Sequence, residues 1–160
     1  MKTIYFDDDI TIESVRELIT IIEESNSNKF TIYFTSNGGT IPSADVLINF
    51  INKNPKKYTF ISSWFISSAA FLIMYKIKCK KKILDNTHAI IHLYSSTLEY
   101  RLQKDAHSME YYLTKNLKKS NKKFIKFLKK INISKKNIEK IEKGKDVILN
   151  TKELRQILEV

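Results

Sequence analysis

A single α/β domain built on a largely parallel sheet is what this sequence predicts, and two patterns predict it. Short β-branched or aromatic runs alternate with stretches whose apolar residues recur every three or four positions, in the order βαβαβαββ. The chain has 160 residues, 42% of them hydrophobic, which is enough for one buried core and too little for two ordinary domains. A domain spanning 1–160 is therefore expected.

Ile4 to Phe6 form the first expected strand, and Thr11 opens a helix with Ile12, Val15, Leu18, Ile19 and Ile22 on one face. After the polar turn Ser25–Asn28 comes the strand Phe30 to Phe34, which ends at Thr35-Ser36-Asn37-Gly38-Gly39. Ser43 is the expected cap of the next helix, which buries Val46, Leu47, Phe50 and Ile51 and stops at Asn54-Pro55. Tyr58 to Ser62 is a strand, Ser67 to Met74 a buried helix, and Lys80 to Leu84 and Ala89 to Leu93 two further strands. From Thr97 to about Ile131 no Gly or Pro occurs. Leu102, Ala106, Met109, Leu113, Leu117, Phe124, Phe127 and Ile131 predict one long amphipathic helix there. Ser134 can cap a short helix that ends at Gly144, and Thr151 starts the last one.

Composition narrows the classes of function. No stretch reaches the roughly 18 apolar residues of a membrane span, and the N-terminus turns acidic by Asp7 without a signal-peptide core, so a cytoplasmic protein with no membrane partner is expected. One cysteine, Cys79, cannot form an intrachain disulfide. The net charge of +11 is concentrated: thirteen lysines fall between Lys115 and Lys145 against only Glu139 and Glu142. That helix could bind a polyanion, but a solvated helix with its apolar stripe packed on another subunit is favoured, so no nucleic-acid partner is expected. No Cys/His/carboxylate cluster has metal-ligand spacing and no P-loop is present, so neither a metal nor another cofactor is expected.

Acyl transfer by serine needs a nucleophile at a sharp boundary between elements, a histidine base, an acid that orients it, and N–H groups aimed at the oxyanion. Ser67 stands where a strand and loop give way to an apolar helix, whose N-terminus favours negative charge. His92 ends the run Ala89-Ile90-Ile91, and Gly38-Gly39 ends another strand. Singly these are weak signals, since a serine there can be a helix cap and a glycine pair an ordinary turn.

Their order and spacing resemble the Clp protease proteolytic subunit. Ile32 to Gly39 is similar to that family's strand and "NSPGG" turn, Ser67-Ser68-Ala69-Ala70-Phe71-Leu72 to "SMGAFL", and Leu84 to His92 to "LPNSRVMIH". The serine-to-histidine interval is 25 residues, as in the family. Downstream, Asn137 to Asn150 is similar to the segment that carries the third triad member, which falls on Asp146.

The resemblance implies a ClpP/crotonase-like β-α-β superhelical domain, with a core of about 1–93 and 146–160 and a helical handle of about 97–145. It implies Ser67 as nucleophile, His92 as base, Asp146 as orienting acid, and the N–H groups of Gly39 and Ser68 as the oxyanion hole. It further implies a serine endopeptidase in a homo-oligomeric ring, acting on peptide or unfolded protein, with an AAA+ unfoldase as a potential partner in ATP-dependent proteolysis. Bulky Trp64-Phe65-Ile66 precede Ser67, and Leu93-Tyr94-Ser95-Ser96-Thr97 replaces the glycine-rich strand that pairs with substrate in the family. Those departures define the alternative: a catalytically impaired scaffold or regulatory subunit.

Overall fold

The structure, a computed structural model, describes residues 1–95 and 106–158, without the side chains of residues 106–114. It divides into two compact units, Met1–Ile91 with Ile148–Val160, and His92–Val147.

In the first unit β1 (Lys2–Phe6), β2 (Phe30–Ser36), β3 (Tyr58–Ile66) and β4 (Lys80–Ile83) form a parallel sheet in that order. Helices α1 (Ile12–Glu23), α2 (Ile41–Lys53) and α3 (Ala69–Lys76) connect successive strands. The expected alternation is therefore present. The last expected strand, β5 (Ala89–Ile91), pairs instead with β6 (Val147–Leu149), and α6 (Thr151–Leu158) follows.

Period-two patterning explains the sheet. In β2, Phe30, Ile32, Phe34 and Ser36 are buried, and the intervening residues are half-buried. Parallel register stacks Phe6 on Phe34 at 5.3 Å between ring centroids, and Phe34 meets Phe60 at 5.5 Å. The opposite face carries an outward pair, Tyr5 on Tyr33 at 5.1 Å.

Several boundaries differ from expectation, among them the end of β5, which stops at Ile91 rather than Leu93. Thr40, not Ser43, caps α2, because Pro42 is tolerated in the first turn and Ser43 N–H then meets Thr40 Oγ1 at 3.4 Å. β3 runs on to Ile66, and α3 begins at Ala69 rather than Ser67. β6 was not expected at all, since three residues are too few to show a period.

Cys79 is buried at the start of β4, and burial pushes its thiol up to about 11, against an opposing pull from Lys81. Its folded-state value lies above the ordinary 9.0, so the linked stability is fully present below pH 9.0 and is lost as pH rises toward about 11. Alkylation by iodoacetamide is expected to be slow at pH 8 and to rise roughly tenfold per pH unit, because only the thiolate reacts. Rapid labelling of folded protein at pH 8 would contradict the burial.

The second unit contains α4 (Ala106–Leu128) and α5 (Lys135–Glu142). The expected long helix ends at Leu128 rather than Ile131; its portion within 96–105 lies outside the described residues. Asn132 takes a left-handed conformation at φ 60, and Ser134 caps α5 as expected. Phe124, Leu128, Ile131, Ile133, Ile138 and Ile141 are buried here. The C-terminal part of the apolar stripe is thus buried, and α4 packs against α5.

Candidate active site

The first half of the candidate site is a short run of chain held on both sides. β3 bulges after Ser62: Phe34 pairs with Ser62 but Ser36 with Ile66, so three residues of β3 stand against one of β2. Trp64 absorbs the excess at φ 72 and points to solvent. The bulky residues before Ser67 are therefore a bulge with an outward Trp64.

Beyond the bulge the chain straightens. Ile66 N–H donates to His88 O at 3.0 Å, Ser67 N–H to Ser36 O at 2.9 Å, and Ser68 N–H to Ile90 O at 2.9 Å. Alternate N–H groups thus reach the end of β2 and the strand β5, fixing Ile66–Ser68 between them. This is the carboxyl end of a parallel sheet, where such folds place functional groups. Gly38, at φ 106, closes against the same run, and Gly39, at φ 147, against Ile10. A Cβ at Gly38 would lie 2.7 Å from Ser67 O and 2.7 Å from Ser68 Cβ, while one at Gly39 would strike the backbone of Ile10.

The glycine pair was legible as a turn, but its two anchors were not. Ser36 Oγ accepts from Gly38 N–H at 3.1 Å, and Ile10 brackets Gly39 by donating to Gly38 O at 2.6 Å and accepting from Thr40 N–H at 2.9 Å. A buried serine at a strand end was the one signal available for Ser36; Ile10 carries none.

The two serines differ. Ser67 is buried, with its Oγ sealed from solvent and without a hydrogen-bond partner among the described residues. Ser68 is half-buried and stands at φ 53, ψ −117 immediately before α3.

His92, Asp146 and their surroundings belong to the second unit. The His92 ring is half-buried, and its Nδ1 lies 2.7 Å from Leu93 O. A carbonyl can only accept, so Nδ1 carries the proton and Nε2 is left as the basic nitrogen. Asp146 is exposed, just before β6, and no hydrogen bond joins it to His92 among the described residues. Farther along, Asn121 of α4 grips the backbone of Tyr94: Tyr94 N–H donates to Asn121 Oδ1 at 2.7 Å, and Asn121 Nδ2 donates to Tyr94 O at 3.1 Å. The Tyr94 ring lies 4.7 Å from that of Phe124.

A parallel sheet connected by helices, with a serine pair set between two strand ends and backed by a glycine turn, defines a parallel α/β protein. The Clp protease family model matches residues 3–156, and the chain belongs to that family. Among solved structures, a mutant ClpP1 from Listeria monocytogenes is similar at 20% identity and TM-score 0.67, over 99% of this chain and 88% of that one. The ClpP protease catalytic domain from Plasmodium falciparum is similar at 25% identity and TM-score 0.58, over 98% and 80% respectively. A search of curated protein sequences gave no match. The family and the fold expected from the motifs are thereby borne out.

Proposed function

We propose that this chain is a serine-type peptidase subunit with Ser67 as nucleophile, His92 as base and Asp146 as the orienting acid. The observation that carries the reading is the fixed Ile66–Ser68 run, which the Ser36 and Ile90 carbonyls hold against Gly38 in a chain of the Clp protease family. In the proposed reaction the serine oxygen attacks the peptide carbonyl carbon and its proton passes to His92 Nε2. Collapse of the tetrahedral species breaks the C–N bond, and the amine leaves with that proton. Water, deprotonated by His92, then cleaves the ester and restores the hydroxyl. Leu93 O holds the required tautomer at rest, and Asp146 takes its place on Nδ1–H in the working form.

The wider reading follows the family: a homo-oligomeric chamber that restricts entry to peptide or unfolded protein, in the cytoplasm, with an AAA+ unfoldase feeding it in ATP-dependent proteolysis. The scaffold reading draws support from the sealed Ser67 Oγ and the exposed Asp146. Hydrolysis of fluorogenic peptides by the assembled protein separates the two. Turnover that disappears in the Ser67→Ala/Ser68→Ala double variant is the expected result. Absence of turnover would leave the scaffold role, and equal turnover in the double variant would overturn the serine assignment.

A further inference from the structure

We propose that the amino end of the parallel sheet, opposite the serine run, is a binding site for a small polyanion that carries two or more linked phosphate groups.

Strand register assembles the site. Lys29 immediately precedes β2, Lys56 and Lys57 precede β3 in the single turn Pro55–Lys57, and Lys78 and Lys80 bracket the start of β4. β2 and β3 pair from Phe30 opposite Tyr58, and β3 and β4 from Thr59 opposite Lys80. Carried back by one or two residues, that register sets Lys29, Lys57 and Lys78 at corresponding positions on three neighbouring strands. Neighbouring strands lie roughly 4.8 Å apart, so lysines remote in sequence are gathered along one sheet edge.

Shape comes next. The five lysines line one cavity of about 490 Å3, whose lining also includes Thr59 and the buried Tyr58 and Cys79. Small-ligand sites run from about 300 to 1,000 Å3, so the volume suits one. Lysines of a merely solvated face diverge into water, whereas these share a concavity.

Charge sets the chemistry of the ligand. Among the described residues no carboxylate lines this cavity, and none of its five lysines is ion-paired. Glu23 lines a second recess that shares Phe30, Lys57 and Tyr58 with the first, but Lys53 and Lys57 outnumber it there. A cleft walled by one sign of charge concentrates ions of the other. One phosphate, at about two negative charges, would balance fewer than half of five ammonium groups, and linked phosphates balance most of them. Lysine suits this task, because its ammonium is a compact point charge that meets phosphate from any side. The half-buried Thr59 hydroxyl makes no hydrogen bond among the described residues and offers one more donor.

The site is remote from the serines. β3 runs from Tyr58 at this edge to Ile66 beside the serine run, roughly 25 Å at the usual rise per residue. The ligand is therefore not the peptide substrate, and the site stands independently of the peptidase reading.

The test is isothermal titration calorimetry of the assembled protein with inorganic tripolyphosphate. One saturable site per chain is expected, at least about tenfold tighter than for orthophosphate and weakening as added salt shortens the screening length. The triple variant Lys29→Gln/Lys57→Gln/Lys78→Gln should bind at least about tenfold more weakly, because each change removes a charge at the ligand. The control Lys118→Gln/Lys122→Gln/Lys126→Gln removes the same net charge from exposed positions on α4 and should stay within about twofold of the parent. Unfolding midpoints within a few degrees of the parent are expected for both variants, since all six positions are exposed. Adenosine triphosphate, titrated beside tripolyphosphate, separates the sources of the phosphate chain: equal or lower affinity means that the phosphates alone are read, and higher affinity that a nucleoside is read with them. Absence of a saturable site, orthophosphate binding as tightly as tripolyphosphate, or equal weakening in the two triple variants would overturn the assignment.

Discussion

Asp146→Asn is expected to slow acylation by about a thousandfold or more, equivalent to roughly 4 kcal/mol of transition-state stabilisation. An amide in place of the carboxylate cannot stabilise the imidazolium that forms when His92 takes the serine proton. His92→Ala should cost at least as much, since it removes the base itself. The informative quantity is the difference. In the resting arrangement Leu93 O already accepts from His92 Nδ1 at 2.7 Å, and Asp146 stands exposed. Single-turnover acylation with an activated peptide ester, at constant pH and with circular dichroism matched to the parent, checks the expectation. A loss under tenfold for Asp146→Asn beside a large loss for His92→Ala would assign the orienting role to the Leu93 carbonyl.

The second large effect is on stability. Phe60→Ala is expected to remove about 3–5 kcal/mol, the range for truncating a fully buried aromatic ring. Phe60 lies in β3, an inner strand of the four-stranded sheet, is 0% exposed, and meets Phe34 at 5.5 Å. Against a total stability of about 5–15 kcal/mol, typical of a domain, the loss is a large fraction. Tyr5→Ala serves as the control: Tyr5 sits on the same sheet but is 75% exposed, so its loss should be far smaller. Urea unfolding of both variants beside the parent measures the contrast, and equal shifts would contradict the layered arrangement.

Much of this architecture was legible because the fold is patterned at short range. Phe30-Thr31-Ile32-Tyr33-Phe34 alternates along one strand, and Thr11 with Ser14 forms a reciprocal cap whose first member was recognised from sequence. The family followed from three ordered motifs. What escaped was decided by tertiary context. The bulge at Ser63–Phe65 moved the start of α3 from Ser67 to Ala69, because the chain must stay extended until Ser68 N–H has reached Ile90 O. No local propensity marks that requirement. Motif spacing assigned a role to Ser67 and its neighbour, whereas which hydroxyl is sealed and which N–H is engaged depends on residues some 30 positions upstream and 20 downstream. Ile10, an unremarkable apolar residue in the sequence, fixes the glycine turn purely through its backbone.

The grip of Asn121 on Tyr94 has a consequence for what the chain can accept as a guest. A peptide docking as an extended strand beside the residues that follow His92 would use the N–H and C=O that Tyr94 offers, and Asn121 already satisfies both. The side-chain amide imitates the backbone of a visiting strand and keeps its berth occupied. Displacing it forfeits two hydrogen bonds worth about 0.5–1.5 kcal/mol each in net terms. A segment docking there would therefore start at a handicap of roughly fivefold to a hundredfold in affinity, counted at about 1.4 kcal/mol per decade. Segments that bind elsewhere along their length can overcome it, and short weak ones cannot. In this chain, discrimination by length and tenacity would begin at a single asparagine, before any bond is broken.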